Sequence, residues 1–436
     1  MTTIRPPGLR VATFALPVAL ILSLTACAHA PASGGFTFDS GRPGAARTVV
    51  MPGMAYNAAR GFGYEAGAQG AGQPFFFSSD LEEGNYNVTI TFGHAQAAAS
   101  TTVRAELRRL MLESVKTLPG QFVTRTFTVN VRNPQIKARG DIAAGVVKLK
   151  EPRESVGEAR SWDRRLTLEF TGVNPSVRAI TIAPVLAPTL FLLGDSTVCD
   201  QGDEPYASWG QMLPRFLKSG IGVANLGQSG ETYRESISRR RLDKILSVMQ
   251  PGDTVLMQYG HNDQKQIKDG KGGPFTTYKA EIRTHVAGVR AYGGVPVIIS
   301  PMERRKFDEQ GKVVPSLIDY ADAARQVALE LKVAFIDLNA MSKPFYEALG
   351  AEQSKFAFAE PRPGHTDNTH HNNYGSYQLA RAVVSGIRAN RLPVAAFMAD
   401  DMAPFDPSRP DPVASFALPA SPGFTTVRPL GDEANK

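Results

Sequence analysis

Residues 190–197 read LFLLGDST. Four apolar residues run without alternation into a glycine, an acid and a hydroxyl. An unbroken apolar run of this length is the pattern of a strand buried on both faces, as in a parallel sheet. The pattern recurs downstream. Strand candidates are TLFLLG (189–194), GVAN (222–225), DTVLMQYG (253–260), PVIIS (296–300) and VAFIDL (333–338). Segments of helical character separate or follow them: SWGQMLPRFLK (208–218), RESISRRRLDKILSVM (234–249), YKAEIRTHVAGVRAY (278–292), IDYADAARQVALELK (318–332), NAMSKPFYEALG (339–350) and YGSYQLARAVVSGIRAN (374–390). Strand–helix repetition predicts an α/β fold, a doubly wound parallel sheet, over residues 187–392.

Upstream the period is two. Tyr86, Val88, Ile90 and Phe92 alternate with polar residues, as do Phe127, Val129, Val131 and Leu166, Leu168, Phe170. GVVKLKEP (145–152) and AITIAPV (179–185) read as further strands, and STTVRAELRRLML (100–112) as one passing through TTV. Turn-formers separate these runs at 82–85, 118–120 and 172–175. Residues 48–186 are therefore expected to form an all-β sandwich. Residues 28–47, rich in Gly, Pro, Ala and Ser, read as a linker. The seven prolines of 401–436 make 393–436 either a poorly ordered tail or a strap along the surface.

The start of the chain reads as an address. Arg5 and Arg10 precede the apolar run 11–24, followed by LTAC (24–27) and AHA (28–30). A charged start, a short apolar centre and small exit residues are the parts of a secretion signal, here 1–27. The run is short for a membrane span and Pro17 interrupts it. LTAC resembles a lipobox in which Cys27 is lipidated and anchors the protein to a membrane; plain cleavage after Ala30 is the alternative. The expectation is an exported protein, in the periplasm, on the outer membrane or secreted. Cys199 is the one other cysteine of 436 residues, so stability must come from core burial rather than an intrachain disulfide.

The net charge is +7, and +5 without residues 1–27, which carry two arginines and no acid. ERRK (303–306) and SRRRLDK (238–244) are too short to argue for nucleic acid and read as solvated faces. A mildly basic protein suits an acidic substrate.

In a doubly wound sheet the ligand sits beyond the carboxyl ends of the strands. There the sequence places Gly194-Asp195-Ser196, then Asn225 to Thr232 (NLGQSGET), then Gly260-His261-Asn262-Asp263. After the last strand, past a helix and a loop, come Asp367 and His370. These parts fit acyl transfer. A serine hydroxyl needs a base within reach, which His370 can be. Asp367, three residues earlier, is expected on the same helical turn, where it can orient the imidazole. Backbone N–H groups of Ser196 and Gly230, with the Asn262 amide, can hold the developing oxyanion. Each block alone also reads as a turn or polar loop; their joint order is what argues for a site. His365, Asp367, His370 and His371 could be read as a metal cluster, but an adjacent His pair points its side chains apart. No metal and no cofactor are expected. Cys199, with no base evident beside it, reads as a small packed residue.

GDST, NLGQSGET, GHND and DNTH resemble the four signature blocks of the SGNH (GDSL-type) hydrolases, over about 187–392. Within that family the chain is most similar to the rhamnogalacturonan acetylesterases, through ASWGQMLPRF, GHNDQK, FTTYKAEIR, SPMERRKFDEQGK, LNAMSKPFYEALG and the added β domain. The resemblance implies a flavodoxin-like sheet, Ser196 as nucleophile, Gly230 and Asn262 in the oxyanion hole, and Asp367 and His370 completing the triad. Arg234 matches a position the group usually fills with Arg. Two positions depart. Gly227 stands where the group commonly has Ala, which should loosen a loop. His371 stands where it commonly has Phe, which bears on substrate fit. Ser196 lies outside any G-x-S-x-G.

The expected function is removal of O-acetyl groups from an acetylated acidic polysaccharide, pectin. Tyr206, Trp209, Tyr233 and Tyr278 are candidates for stacking on sugar rings, with Trp209 equally a core residue. Arg234, Arg304 and Arg305 could pair with galacturonate carboxylates, and His371 could line the substrate. An acetylxylan or general carboxylesterase is the alternative enzyme, and a glycan-binding surface lipoprotein the non-enzyme alternative. The β domain, with few aromatics beyond Tyr64 and Phe75–Phe77, reads as structural or weakly binding.

Overall fold

The computed structural model describes residues 1–2, 34–38, 47–65, 72–268, 270 and 272–430. Cys27, most of the expected linker and all of the leader but its first two residues lie outside the described residues.

Among the described residues, two five-stranded sheets form the N-terminal β region. One runs in the order Thr48–Val49, Gly34–Thr37, Val177–Pro184, Gly84–Phe92, Val123–Val131. The other runs Phe62–Tyr64, Phe75–Asp80, Arg165–Val173, Ala99–Ala105, Arg109–Thr117. The alternation does what it predicts: Tyr86, Val88, Ile90 and Phe92 of one sheet share a core with Val103, Leu168 and Phe170 of the other. Each such side chain contributes roughly 1.5–3 kcal/mol on burial.

Two expectations fail here. Residues 34–37, read as linker, are a strand paired antiparallel with residues 179–182. The small residues around it masked Phe36, which packs on Phe62 and Phe77 with ring centroids 5.1 and 5.0 Å apart. Residues 145–152, read as a strand, pair only at Gly145–Val146. Their alternation is satisfied elsewhere, because Val147 and Leu149 pack into the core of the α/β region.

The second region is built on a parallel sheet: β1 (Thr189–Gly194), β2 (Gly222–Asn225), β3 (Thr254–Gln258), β4 (Val295–Ile299) and β5 (Ala334–Ile336). Their spatial order is β2-β1-β3-β4-β5, with every pairing parallel. This is the 2-1-3-4-5 order of a flavodoxin-like sheet, whose ligand crevice lies at the β1/β3 switch point. The unbroken apolar run of β1 is used on both faces. Leu190 and Leu192 meet the side covered by α5 (Leu338–Gln353) and α6 (Asn373–Ala389). Phe191 and Leu193 meet the side of α2 (Arg241–Val248), α3 (Lys279–Ala291) and α4 (Ile318–Leu331). The expected helix 234–249 is two, α1 (Tyr233–Ser238) and α2, broken at Arg240 with φ 63°.

The two regions belong to one compact unit. The turn 106–109 of the β region is driven against the loop after β1. Arg108 donates to Tyr206 O at 2.8 Å and pairs with Glu204 at 2.6 Å, and Arg109 pairs with Asp200 at 3.3 Å. Buried pairs of this kind add little net stability, but removing one partner alone leaves the other charge uncompensated.

Of the two readings of the C-terminal segment, the described part takes the strap. Phe416 packs on Tyr374 and Tyr377, Ser421 N donates to Glu204 at 3.0 Å, and Thr425 N to Glu204 O at 2.7 Å. Prolines suit such a path, having a fixed φ and no N–H to satisfy.

Candidate active site

β1 ends in a turn. Asp195 O accepts the amides of Val198 and Cys199, both at 3.0 Å, and its carboxylate accepts the amide and hydroxyl of Thr197 at 2.9 and 2.8 Å. The turn is pinned from β3, where Gln258 Nε2 donates to Thr197 Oγ1 at 2.8 Å. Ser196 thus stands rigidly at the rim of the two central strands.

His370 arrives from the loop before α6. Its Nε2 lies 2.9 Å from Ser196 Oγ, and its Nδ1 lies 3.0 Å from Asp367 Oδ2. Serine, imidazole and carboxylate, 174 positions apart in sequence at the first link, form one hydrogen-bonded chain. The expected helical turn is absent: Asp367 to His370 lie in irregular loop. Asp367 Oδ1 instead accepts the amides of Thr369 at 2.8 Å and His370 at 3.0 Å. A carboxylate bonding backbone two residues on is an Asx turn, and it brings the two side chains together without a helix. Burial by itself would raise the Asp367 pKa. The facing His370 and these hydrogen bonds outweigh it and hold the carboxyl well below its ordinary range. Tyr206 meets the His370 ring edge-on at 5.9 Å.

The loops that carry the candidate oxyanion donors are tied to the same rim. Gln228 N donates to Gly194 O at 2.9 Å, and Gln201 Nε2 reaches Ser196 O at 2.7 Å and Ser229 Oγ at 3.4 Å. Gly230 follows with φ +76°, a left-handed conformation that glycine takes without strain. Asn262 Nδ2 donates to Glu231 O at 3.1 Å, which ties it to that loop and leaves a second amide hydrogen. Gly227 is not a loosening: a Cβ there would meet Gly194 O at 3.1 Å, and its amide is held by Asn225 Oδ1 at 3.1 Å.

Several expected substrate contacts are corrected. Tyr233 is fully buried against Tyr259, Tyr278 and His285, and leaves no ring face for a sugar. Tyr278 and Trp209 are likewise core. Tyr206 is 1% exposed, with its ring edge-on to His370. His371 lies between Phe358 and Tyr346, and its Nε2 is 2.8 Å from the Tyr346 hydroxyl. Aromatic residues beside polar motifs mark the packing that holds the loops as readily as a platform. Arg234 is a surface residue paired with Glu281 at 2.8 Å. Arg304 is buried and donates to Gln264 at 3.0 Å and His261 O at 3.3 Å. Arg305 borders the loop that carries Asp367 and His370, donating to Asn368 Oδ1 at 2.7 Å. Cys199 is packed, and burial drives its thiol pKa up.

The sequence reading missed three contributors. His261 bridges Asp195 Oδ2 and Met302 O, both at 3.1 Å, locking the GDST and GHND loops together. The strap supplies Arg428, 3.6 Å from Asp367, and Leu430, against which Gly230 packs. Residues 148–158 of the β region reach the Gln228–Gly230 loop through Lys150, Arg153 and Glu158. Only His261 sat within a recognised motif.

A hydroxyl, imidazole and carboxylate in line at the C-terminal rim of a 2-1-3-4-5 sheet have the parts of a serine hydrolase, and the relatives named below make the class the carboxylic ester hydrolases. The chain belongs to the GDSL-like lipase/acylhydrolase family, whose sequence profile matches residues 192–379. It is 36% identical over 215 residues to the rhamnogalacturonan acetylesterase RhgT of Bacillus subtilis (strain 168), covering 47% of this chain and 91% of that protein. The probable rhamnogalacturonan acetylesterase YesY of the same organism is 34% identical over 211 residues, 48% of this chain and 96% of that protein. A third relative from it, the uncharacterized esterase YxiM, is 26% identical over 318 residues, 72% of this chain and 74% of that protein.

Proposed function

We propose that the protein is a serine O-acetylesterase acting on acidic pectic polysaccharide, rhamnogalacturonan in the first place. The observation that carries this reading is the hydrogen-bonded chain Ser196–His370–Asp367. The likeness to two rhamnogalacturonan acetylesterases supports the substrate class. Two arginines support an acidic substrate: Arg305 on the triad loop and the half-exposed Arg428 beside Asp367. A guanidinium matches a galacturonate carboxylate with two parallel hydrogen bonds.

Ser196 Oγ attacks the acetyl carbonyl carbon while His370 Nε2 takes its proton. Asp367 keeps the proton on Nδ1 and balances the imidazolium. The oxyanion is held by the amides of Ser196 and Gly230 and by Asn262 Nδ2–H. Collapse passes the proton from His370 to the departing sugar oxygen and leaves an acetyl-serine. Water, deprotonated by the same imidazole, then releases acetate and restores Ser196.

Acetate release across a panel of acetylated polysaccharides tests the reading. Acetylated rhamnogalacturonan is expected to be the best substrate, and preference for long-chain acyl esters would overturn it. The leader supports export and a lipid anchor at Cys27. Cys27→Ala is then expected to move the protein from the membrane to the soluble fraction and to abolish labelling by a fatty-acid probe. Unchanged fractionation and labelling would remove the anchor.

A further inference from the structure

Lys150 lies in the connection between two sandwich strands, far in sequence from every motif of the α/β region. Its ammonium donates to Ser229 O at 2.7 Å. Ser229 C=O and Gly230 N–H are the two ends of one peptide group. The connection is built to hold the ammonium there. Lys150 N donates to Glu154 Oε2 at 2.7 Å, and Glu154 N to Lys150 O at 2.8 Å. Glu154 is in turn locked by Arg241 at 2.6 Å and by Trp162 Nε1 at 2.9 Å. Neighbours grip the same loop, with Arg153 on Ser229 Oγ at 3.1 Å and Glu158 accepting from Gln228 Nε2 at 2.7 Å.

We propose that Lys150 is a positioning residue that polarises the Ser229–Gly230 peptide, so that the Gly230 N–H is a stronger oxyanion donor. The inference rests on the reading of Gly230 as part of the oxyanion hole. The peptide C–N bond is a resonance hybrid, so a cation on the oxygen draws density from nitrogen and leaves its hydrogen more positive. Hydrogen bonds in a chain strengthen one another in this way, and a charged partner about doubles a bond's strength. The effect grows as the oxyanion forms, so it acts on the transition state rather than on substrate binding. It assigns the β region a part in catalysis: one of its side chains tunes a donor in the other region.

The test compares Lys150→Met, Lys150→Gln and Lys150→Arg with Asn262→Ala, by steady-state hydrolysis of an aryl acetate and thermal melts of each. Losing an oxyanion donor outright costs on the order of 10²–10³ in kcat, so Asn262→Ala sets the scale. Lys150→Met and Lys150→Gln are expected to lower kcat about 10-fold, with KM within about 2-fold; Lys150→Arg is expected to restore kcat to within about 3-fold of wild type. Lys150→Gln keeps a neutral donor to Ser229 O, so full activity there would show that anchoring alone matters and overturn the proposal. It also decides the matter should Lys150→Met fail to fold. Wild-type kcat in both neutral variants beside a strong loss in Asn262→Ala would overturn Lys150 and leave the oxyanion hole standing. No loss in Asn262→Ala would remove the oxyanion reading itself.

Discussion

Ser196→Ala is expected to lower turnover of acetyl esters at least ~10⁴-fold while leaving the melting temperature near that of wild type. Removing one member of a serine triad removes the covalent path altogether, and what survives comes from the oxyanion donors and binding. Among the described residues, the hydrogen bond the hydroxyl makes is its 2.9 Å contact with His370 Nε2, so the fold has little to lose. Asp367→Asn should cost about as much, on the order of 10⁴-fold, by a different route. An Asn side chain can offer its NH₂ to His370 Nδ1, which leaves the proton on Nε2, where the base must be free. Its carbonyl oxygen can still accept the amides of Thr369 and His370, so the loop survives. Because its folded pKa lies well below the ordinary carboxylate range, Asp367 stays ionised throughout the working pH range. An acid limb in kcat/KM therefore does not come from Asp367. The measurements are steady-state kinetics on an aryl acetate and mass-spectrometric mapping of fluorophosphonate labelling. Wild-type turnover by Ser196→Ala, or labelling at another serine, would end the triad assignment.

What the sequence disclosed and what it hid follow a physical rule. The five strands of the parallel sheet were legible because burial on both faces leaves unbroken apolar runs, as in Leu190 to Leu193. The hydrogen-bonded chain Ser196–His370–Asp367 was legible because Ser196 follows a strand at the rim where such sheets bind ligands, and Asp367 and His370 form a polar block downstream of the last strand. The hidden part is whatever works through long-range contact without a local pattern. Phe36 makes a strand of a Gly-rich segment only because Phe62 and Phe77 lie opposite it. Lys150 stands in a segment that alternates like a strand, and its role depends on Ser229, 79 positions away. Tyr206 and Tyr233 read as sugar-stacking residues because aromatic rings near a motif suit a sugar, and His371 as a substrate wall because it stands where the resembled group commonly has Phe. Only the packing partners show that their ring faces are already taken. The spacing of Asp367 and His370 suggested a helical turn, yet an Asx turn satisfies the same proximity with fewer ordered residues.

His371 gives the second large effect, on stability rather than rate. Its ring is 2% exposed, between Phe358 and Tyr346. Burial, then the nearby His370 and His261, push its pKa down to about 3. The neutral ring shares a hydrogen bond with the Tyr346 hydroxyl at 2.8 Å. In the unfolded chain the same imidazole titrates at about 6.5. Between those two values the unfolded state holds a proton that the folded state lacks, so stability falls as the pH falls. The slope approaches ~1.4 kcal/mol per pH unit, or about 2–3 kcal/mol from pH 6.5 to 4.5. His371→Phe removes this contribution, and pairing it with Tyr346→Phe avoids leaving a buried hydroxyl without a partner, a cost of about 1–3 kcal/mol. Other buried groups titrate too: His285, pushed down to about 4, acts in the same direction, and Glu106, pushed up to about 8, in the opposite one. They are common to both proteins and cancel in the difference. Urea unfolding at pH 7 and pH 4.5 should show the double variant gaining about 2–3 kcal/mol on wild type as the pH drops. A gap that stays constant within about 0.5 kcal/mol would mean that His371 is not held neutral by its burial. Acetyl-ester kcat should change far less than in Ser196→Ala, because the ring touches Phe358 and Tyr346 rather than the acetyl group's path.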